Sequence, residues 1–593
     1  MREFSRTPSS ELSTVGNLTD DVVRNAATSP GLVLFGRRTS TCWEHVTSEV
    51  FLGQVRSVAA GLAAAGVRPG DRVALMCRTR FEWTVFDYGI WFAGAVTVPI
   101  YVTASDDQLT WILRDSQVQV VIVETSDELE RVRKLRNSEG EARIWAVDEG
   151  AVDVLAALGA GISDSDVERR RGELSPESLA TIVYTSGTTG TPKGCVLTHG
   201  NLMAELDAAS RDLDELFGGD DAATLLCLPL AHIFARIVQV GAIRHRVRLG
   251  YPGDVQSLAR DLEDFQPTFL VGVPRVFEQI FNRASQGATA DGRGKVFERA
   301  ADTAVAYSQS LEHGGPGITL RVKHLGYERL VYERVRSALG DRCRFAVSGG
   351  ASLGDRLAHF FRGIGVPVLE GYGLTETTAA LCVNSPGAHK VGTVGRPFEG
   401  VTVRVSDEGE LLVRGRQVFS GYWSDEEATR RVLDSGWLHT GDLGEIDDEG
   451  FIRVLGRMHE VLVTAGGKRI APTALEEHVR AHPLVSHCMV VGDGRPYVAA
   501  LVTLDPDAVT AWAAQRQKST RLRELAEDHD LRREIQGAVD EANRSVSRAE
   551  SIRKFTILPV DWTEEGGHLT PSLKIRRKAI SRDFSRELGA MYP

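Results

Sequence analysis

The N-terminal part of the chain alternates between segments with helical periodicity and short apolar segments that suit buried strands. In chain order, helical and strand-like segments take turns over residues 54–66, 72–77, 81–94, 96–101, 106–116 and 118–123. Strands separated by helices pair in parallel, because the connecting helix returns the chain to the same end of the sheet. The pattern predicts an α/β fold with a parallel sheet covered by helices.

The rest of the chain predicts further units of a different kind. Apolar runs meet Gly-rich turns near residues 180, 225, 268 and 345–370, and residues 284–325 predict a polar helical excursion. From about residue 400, short strands and two Asp-Glu-Gly turns indicate hairpins. A chain of 593 residues exceeds the size of one hydrophobic core. We therefore expect a large N-terminal domain over 1–456, made of α/β layers and a small β-barrel-like subdomain, and a small mobile α+β domain over 457–593.

Composition narrows the class of protein. The chain has 69 Lys and Arg against 80 Asp and Glu, and a net charge of −11 argues against non-specific nucleic-acid binding. The seven cysteines are scattered without a C-x-x-C pair, so neither a disulfide framework nor a zinc site is indicated, and a cytoplasmic location fits best. The N-terminus has no apolar signal region. The apolar run Tyr88–Val102 contains Pro99 and is too short to span a bilayer, which favours a core helix leading into a buried strand.

A phosphate-binding loop is the strongest local signal. An apolar strand, Thr181–Tyr184, leads into a run of hydroxyls and glycines that ends in a lysine, with the sequence Thr185, Ser186, Gly187, Thr188, Thr189, Gly190, Thr191, Pro192 and Lys193. Glycine lets the backbone approach an anion, successive N–H groups and hydroxyls can surround phosphate oxygens, and the lysine adds a cation. The spacing is not that of a Walker A loop, which requires Gly-Lys-Ser/Thr.

Further motifs follow this loop in an order that is typical of one family. The string YTSGTTGTPKG resembles the signature of the adenylate-forming superfamily, which includes acyl-CoA synthetases, luciferases and the adenylation domains of peptide synthetases. The resemblance extends from about residue 40 to 585 through the strings LPLAHIFAR, SGGA, EGYGLTET, WLHTGDL, GR and LTPSLKIRR. It implies a reaction in which ATP activates a carboxylic acid as an acyl-adenylate.

The resemblance also implies a role for each matching residue. Thr185 to Gly190 and Lys193 would hold the ATP phosphates, and Thr185 and Glu376 would hold Mg²⁺, which prefers oxygen ligands. The adenosine would lie against a set of six residues, namely Gly349, Gly350, Glu370, Gly371, Tyr372 and Gly373, and Thr375 would bond a phosphate oxygen. Asp442 and Arg457 would reach the ribose, since a carboxylate can accept from two vicinal hydroxyls.

Four residues would carry the chemistry and the domain movement. Lys574 is implied as the catalytic lysine, because a cation at the α-phosphate stabilises the charge that accumulates in the transition state. His232 would lie near the substrate carboxylate and the thioester step, and Glu376 would act through the metal. His459 stands at the hinge, where relatives carry Lys or Asp. A histidine there could make domain alternation depend on pH, although tolerance of a different hinge residue is the simpler interpretation.

The choice of acid and acceptor depends on finer features. VPRVFE at 273–278 lies in a segment that resembles long-chain acyl-CoA synthetases, as do the LTPSLK ending and the expanded 284–345 region. The chain is thus similar to an actinobacterial-type long-chain fatty-acid–CoA ligase, which uses ATP, Mg²⁺ and coenzyme A. Four apolar residues beside His232 have helical spacing and could line a tunnel for the acyl tail: Ile233, Phe234, Ile237 and Val238.

Several alternatives stay open at this stage. A fatty acyl-AMP ligase that loads an acyl carrier protein, or a ligase for a medium-chain, short-chain or aryl acid, would carry the same motifs. Nothing in the sequence suggests a light-emitting oxygenase, and retention of the charged residues named above disfavours a catalytically silent nucleotide or lipid binder. The sequence leaves open peripheral membrane association and the choice between a monomer and a homodimer.

Overall fold

The computed structural model describes residues 2–8, 15–39, 42–136, 143–185, 191–219, 221–253, 258–570 and 573–592. Its N-terminal strands are β1 (Glu3–Ser5), β2 (Val33–Arg38), β3 (Trp43–Thr47), β4 (Arg72–Met76), β5 (Val96–Ile100), β6 (Val120–Val123) and β7 (Arg143–Ala146). The helices of this part are α1 (Asp20–Thr28), α2 (Ser48–Ala64), α3 (Phe81–Phe92), α4 (Asp106–Asp115), α5 (Ser126–Leu135), α6 (Ala151–Leu158) and α7 (Asp164–Gly172).

The predicted alternation of helices and strands is confirmed here, with boundaries within a few residues for most elements and α2 beginning six residues earlier than the 54–66 pattern. The apolar run from Tyr88 ends α3 and continues into β5, as expected of a core helix and a buried strand. Strands β4, β5, β6 and β7 pair in parallel.

The central part of the chain adds two more sheets and a group of helices. Its strands are β8 (Leu179–Thr185), β9 (Lys193–Thr198), β10 (Ala223–Leu225), β11 (Arg248–Tyr251), β12 (Phe269–Gly272), β13 (Phe345–Ser348), β14 (Val368–Tyr372), β15 (Cys382–Val383) and β16 (Arg396–Pro397). Its helices are α8 (His199–Asp212), α9 (Asp214–Phe217), α10 (Ile233–Arg244), α11 (Leu258–Phe265), α12 (Pro274–Ala290), α13 (Gly294–Leu311), α14 (Ile318–Tyr327), α15 (Glu333–Ser337) and α16 (Asp355–Gly363). The predicted helical excursion is therefore formed by α12, α13 and α14.

The remaining elements form the barrel-like sheet and the C-terminal region. The strands are β17 (Thr402–Val405), β18 (Glu410–Arg414), β19 (Leu433–Asp434), β20 (Trp437–Ile446), β21 (Ile452–Arg457), β22 (Leu462–Val463), β23 (Arg469–Ile470), β24 (Val485–Val491), β25 (Val498–Leu504) and β26 (Ile552–Ile557). The helices are α17 (Glu426–Val432), α18 (Pro472–Arg480), α19 (Pro506–Gln515), α20 (Leu522–Leu525), α21 (His529–Arg544), α22 (Arg577–Asp583) and α23 (Ser585–Ala590).

Three main sheets surround the centre of the large N-terminal part. One has the strand order β7-β6-β4-β5-β8-β9, the second β12-β13-β14-β15-β16, and the third β10-β11-β2-β3. A fourth sheet, β1-β17-β18-β20-β19 with β21 added on β20, is the predicted barrel-like unit. Both Asp-Glu-Gly turns occur where expected, one between β17 and β18 and one between β20 and β21. The α/β fold class is confirmed.

The C-terminal region has a core of its own. Strands β24, β25 and β26 form a three-stranded sheet, and helices α18, α19 and α21 contribute the buried side chains that pack on it. A separate cluster of buried residues behind the same sheet contains Trp562, Leu569 and Ile580. Because this second cluster includes Leu569, it fixes the start of the turn that carries Lys574.

Candidate active site

Most of the site residues that the motifs predict line one large cavity. Its volume is about 740 Å³. Thirteen of the predicted site residues line it: Thr185, Lys193, His232, Gly349, Gly350, Gly371, Tyr372, Gly373, Thr375, Glu376, Arg457, His459 and Lys574. These residues come from segments that are hundreds of positions apart in the chain. Their convergence is what a site for a large, multi-part substrate requires.

Two predicted residues lie behind the cavity wall. Glu370 is buried, and its carboxylate accepts a hydrogen bond from the backbone N–H of Leu353 at 2.8 Å. Burial raises the pKa of Glu370 to about 7. Asp442 is also buried and lies beside the lining residues Gly441 and Arg457. The predicted phosphate-loop residues Ser186, Gly187, Thr188, Thr189 and Gly190 lie outside the described residues.

The described residues at both ends of the phosphate loop belong to one hairpin. Thr185 ends β8 and lies directly opposite Lys193, the first residue of β9, in an antiparallel ladder. The Lys193 ammonium lies 5.1 Å from the centre of the Tyr422 ring, a distance at which the ring face attracts a cation. The hairpin therefore presents a hydroxyl and a positive charge side by side to the cavity.

The turn after β14 is held in a conformation that few residues can adopt. A Cβ on Gly373 would lie 1.5 Å from the carbonyl oxygen of Ala379, so only glycine fits there. Thr378 and Ala379 both have positive φ, at 59° and 99°. Non-glycine residues in this region are strained, and such strain persists where the surroundings impose it, commonly at functional sites. The strained turn fixes the short helical segment Thr375–Thr377 against the cavity.

Glu376 is oriented by an aromatic neighbour. The hydroxyl of Tyr422 donates a hydrogen bond to Glu376 Oε1 at 2.7 Å. This bond holds the carboxylate of Glu376, which lines the cavity, in a defined orientation. Because Tyr422 also lies under Lys193, one side chain positions both an anionic and a cationic group.

Asp442 takes part in a three-residue network beside the cavity. Its carboxylate pairs with Arg457, whose Nε lies 2.9 Å from Asp442 Oδ1, and it accepts a hydrogen bond from the Tyr372 hydroxyl. Asp442 and Arg457 are cross-strand neighbours on β20 and β21. Burial raises the pKa of Asp442, whereas Arg457 and Tyr372 oppose that rise. The network fixes the orientation of the Tyr372 side chain, which lines the cavity.

His232 is neutral and has a defined orientation. It is the N-cap of α10, and its Nδ1 accepts a hydrogen bond from the backbone N–H of Phe234 at 3.2 Å. We infer from this bond that the proton of the neutral ring is on Nε2. Burial, and to a smaller extent the charge of Lys574, lowers the pKa of His232 to about 4. At neutral pH the ring can therefore donate from Nε2 without carrying a charge.

Lys574 approaches the cavity from the C-terminal region. It ends a tight turn in which its backbone N–H donates to Thr570 Oγ1 at 3.0 Å, and Leu573 adopts a positive φ of 60°. The side chain keeps access to solvent but is surrounded by protein on the other sides. That environment lowers the pKa of Lys574 by desolvation first, then by the charge of Arg457, and Asp442 opposes the change.

The cavity extends into an apolar arm between α8 and α10. The predicted tunnel residues Ile233, Phe234, Ile237 and Val238 all line the cavity. The arm is completed by residues that the sequence analysis did not identify, among them Leu206, Leu213, Phe217, Gly241 and His245. The rings of Phe217 and His245 are stacked with centroids 4.9 Å apart. An apolar arm joined to a polar chamber suits a ligand with a charged head and a hydrocarbon tail.

One carboxyl group lines the same cavity without full hydrogen bonding. Glu205 is 2% exposed; its Oε1 accepts from the backbone N–H of Ala380 at 3.1 Å, and its Oε2 has no hydrogen-bond partner among the described residues. Burial raises the pKa of Glu205 well above its ordinary value. Burial without a countercharge favours the protonated form.

We expect Glu205→Gln to remove a pH-dependent loss of stability. Because the folded-state pKa is raised, the native carboxyl keeps a proton that the unfolded chain loses above about pH 4.5, so stability falls as pH rises from there. Glutamine does not titrate, and the melting temperature of the variant relative to wild type should therefore rise between pH 5 and pH 8. The matched control is Glu215→Gln, an exposed position. An offset from wild type that is the same at both pH values would contradict a buried, protonated Glu205.

Tyr422, Glu205 and Glu410 are among the polar lining residues of this cavity that sequence reasoning missed. Tyr422 follows Gly421 in a loop and precedes a tryptophan, and an aromatic pair in a loop was an available signal. Glu205 is the one acidic residue in the apolar string NLMAEL, which was a second signal. Glu410 accepts from the backbone N–H of Gly441 at 2.9 Å and contacts His439, a contact that spans two strands and leaves no local pattern.

Comparison with known proteins agrees with this geometry. The family model described as AMP-binding enzyme matches residues 24–423, and the model of the AMP-binding enzyme C-terminal domain matches residues 459–593. The chain belongs to the AMP-binding enzyme family. Among curated relatives of this AMP-binding enzyme, the long-chain-fatty-acid–CoA ligase FadD15 of Mycobacterium bovis is 44% identical, and that of Mycobacterium tuberculosis is 43% identical. Each alignment covers 100% of this chain and 100% of the relative.

Solved structures share the fold of this AMP-binding enzyme. The A domain of a carboxylic acid reductase from Segniliparus rugosus, solved with AMP and a co-purified carboxylic acid, superposes with a TM-score of 0.75 at 20% identity. That alignment covers 97% of this chain and 94% of the solved chain. At this level of identity the likeness establishes the architecture alone. It confirms the predicted adenylate-forming fold.

Proposed function

We propose that the protein activates a long-chain fatty acid with ATP and transfers the acyl group to coenzyme A, giving fatty acyl-CoA, AMP and pyrophosphate. The observation that carries the proposal is the lining of the cavity. A polar chamber that contains Lys193, Glu376 and Lys574 is continuous with an apolar arm along α10. The full-length relatives named as long-chain-fatty-acid–CoA ligases support the same acid and acceptor.

The first half-reaction uses the residues around the polar chamber. A carboxylate oxygen attacks the α-phosphorus of ATP, and the bond from that phosphorus to the bridging oxygen breaks as pyrophosphate leaves. Lys193 would compensate the charge of the phosphates, and Lys574 would stabilise the charge that develops on the α-phosphate. His232 Nε2–H would donate to the fatty carboxyl and so hold its oxygen for attack.

The residues at the chamber fit a magnesium ion bound together with ATP. Glu376 offers a carboxylate oxygen and Thr185 a hydroxyl, both facing the cavity. No cluster of three or more His, Cys, Asp or Glu side chains suited to a metal occurs in the described part of the chain. Magnesium commonly binds through one or two carboxylates plus substrate phosphates, so the sparse donor set suits it. The ion, when bound, would neutralise phosphate charge.

The second half-reaction requires room for a thiol. The sulfur of coenzyme A attacks the acyl carbon, the bond from that carbon to the adenylate oxygen breaks, and AMP leaves with the thiol proton released. We propose that residues 1–456 and 457–593 act as two domains that turn about His459, so that Lys574 withdraws after the first step. Two conformations would allow one cavity to catalyse adenylation and then thioester formation, which require different arrangements of the groups around the acyl carbon.

Ion pairs between the C-terminal region and α12 support such a movement. Arg275 donates to Asp505 at 2.8 Å, and Glu278 pairs with Arg480 at 3.4 Å. Arg275 and Glu278 belong to the VPRVFE string that resembles long-chain acyl-CoA synthetases, yet neither lines the cavity. Partly exposed ion pairs contribute little free energy each. They suit contacts that form and break during a catalytic cycle.

Measuring acid-dependent pyrophosphate release with acids from acetate to arachidate tests the proposed function. With coenzyme A present, we expect the highest kcat/KM for long-chain acids and one coenzyme A consumed per pyrophosphate. Release that stops after one turnover with coenzyme A present would instead indicate a ligase that loads a carrier protein. Preference for benzoate over palmitate would indicate an aryl-acid ligase. The assay without coenzyme A is the matched control, since it isolates the adenylation step.

A further inference from the structure

Helix α14 lies on the protein surface, and its last residue, Tyr327, packs against the core. None of its ten residues is buried. Three large apolar side chains project from it, with Ile318 exposed to 82%, Val322 to 64% and Leu325 to 71%. Isolated exposed apolar residues are ordinary, but a contiguous group on one helix usually marks a surface that another body covers.

The three side chains lie on one face of the helix. Their spacing of four and three residues places them on the same side, opposite the half-buried Leu320 and His324. His324 ties the helix to the body of the protein: its ring stacks on Tyr307 at 4.0 Å, and its Nε2 contacts the carbonyl oxygen of Gly363 at 2.6 Å. Because His324 holds the opposite face against the protein, the apolar face points to solvent.

Basic residues accompany the apolar face. Residues 317–336 contain five Lys and Arg against two Asp and Glu, in a chain whose net charge is −11. Among the described residues no ion pair includes Lys323, Arg329 or Arg334, all of which are exposed. Arg336 pairs with Glu328, which removes one of the two acidic charges from the surface. The surface is therefore apolar with a locally positive border.

We propose that the face formed by Ile318, Val322 and Leu325, with exposed Lys323 elsewhere on the same helix and exposed Arg329 in the segment that follows it, docks the protein on membranes that contain anionic lipid. A helix with an apolar face and basic flanks lies in the plane of the membrane interface, with its apolar side chains among the acyl chains and its cations near the headgroups. None of the helices that the structure describes has the length and apolar character needed to cross a bilayer. The inferred contact is thus peripheral.

The positive charge beside the α14 face favours anionic lipid, rather than a second copy of the chain, as the partner that covers this face. Two copies meeting at this face would bring like charges together, whereas anionic headgroups complement the basic border. The purpose of membrane docking rests on the proposed function. Long-chain fatty acids partition into bilayers, and docking would place the enzyme at the source of its substrate. Binding to vesicles itself requires neither ATP nor turnover.

Co-sedimentation of the full chain with vesicles tests the docking surface. Vesicles of phosphatidylcholine alone are compared with vesicles that also contain phosphatidylglycerol. We expect wild type to bind the anionic vesicles and Ile318→Ser/Leu325→Ser to bind them at least about tenfold more weakly, since two large apolar contacts are lost. Lys323→Glu/Arg329→Glu should also weaken binding, by at least fivefold per residue, and added salt should reduce binding by wild type.

The matched control is Val154→Ser/Leu158→Ser on α6, where both side chains are 47% exposed and one helical turn apart. Its vesicle binding should equal that of wild type. Equal binding of wild type to neutral and anionic vesicles, or unchanged binding by the α14 variants, would overturn the proposal. So would a wild-type dimer that the α14 variants convert to monomer, because the face would then join two copies. The α14 variants should turn over an acid supplied in solution as fast as wild type does, which would show that docking is lost and catalysis is not. An inactive wild type would refute the proposed function without altering the vesicle result.

Discussion

Replacing Lys574 with alanine is expected to lower acid-dependent pyrophosphate release by about 10²–10³ in kcat, the usual consequence of losing one contact made chiefly in the transition state. The side chain reaches the chamber that also contains Glu376, and no other lysine of the C-terminal region lines it among the described residues. Binding of ATP should change much less than kcat, because the contact strengthens as charge develops. Steady-state release and ATP affinity measured on the same preparations check both parts.

Two controls make this expectation specific. Lys578→Ala removes an exposed lysine four residues further along the chain and should leave pyrophosphate release unchanged. Acyl transfer from chemically prepared acyl-adenylate to coenzyme A should be nearly normal in Lys574→Ala, because we propose that this lysine withdraws before the second step. Pyrophosphate release that survives intact in Lys574→Ala would refute the catalytic assignment.

The largest expected effect on stability comes from Asp87. Asp87 on α3 and Arg236 on α10 form an ion pair in which both side chains are completely buried. Thr97 donates to Asp87 at 2.7 Å, and the Arg236 guanidinium lies 5.4 Å from the Trp83 ring. Asp87→Ala would leave an unpaired buried cation, at a cost of about 3–5 kcal/mol. Urea unfolding followed by tryptophan fluorescence measures this loss.

A double replacement separates the pair from its packing. Asp87→Leu/Arg236→Met removes both charges and keeps apolar volume, so it should recover much of the stability lost in Asp87→Ala. Glu173→Ala removes one partner of the exposed pair with Arg169, 3.0 Å apart, and should change stability by no more than about 1 kcal/mol. A stable Asp87→Ala protein would contradict the role given to the buried pair. Because Arg236 lies one turn after His232, we also expect Asp87→Ala to raise KM for the acid.

Local sequence patterns were sufficient to predict most of the fold. The parallel strands β4, β5 and β6 are short, apolar and separated by helices, and both Asp-Glu-Gly turns have the chemistry that a tight hairpin needs. Most of the predicted site residues also line the cavity, because each belongs to a motif whose resemblance to the family fixes its place. The placements of Asp442 and Glu370 behind the wall could not be predicted, since a motif identifies a neighbourhood and not the direction of a side chain.

Long-range polar contacts could not be predicted from the sequence. Apart from Glu82 in the first turn of α3 and Arg244 in the last turn of α10, Asp87 and Arg236 are the charged residues of these largely apolar helices, and such charges require partners when buried. The sequence indicated that partners existed but not which ones, because the pairing spans 149 positions. The exposed face of α14 was missed for the opposite reason. Its apolar spacing is that of an ordinary core-facing helix, and only the fold reveals that it turns outward.

The two sides of helix α10 have different roles. Phe234, Ile237, Gly241 and His245 line the apolar arm, whereas Arg236 on the other side anchors the helix in the core. Laboratory evolution toward shorter, longer or branched acids can therefore vary the first side while the buried ion pair stays intact. The second side offers no such freedom, so new substrate ranges should emerge from substitutions spaced three or four residues apart, with position 236 unchanged.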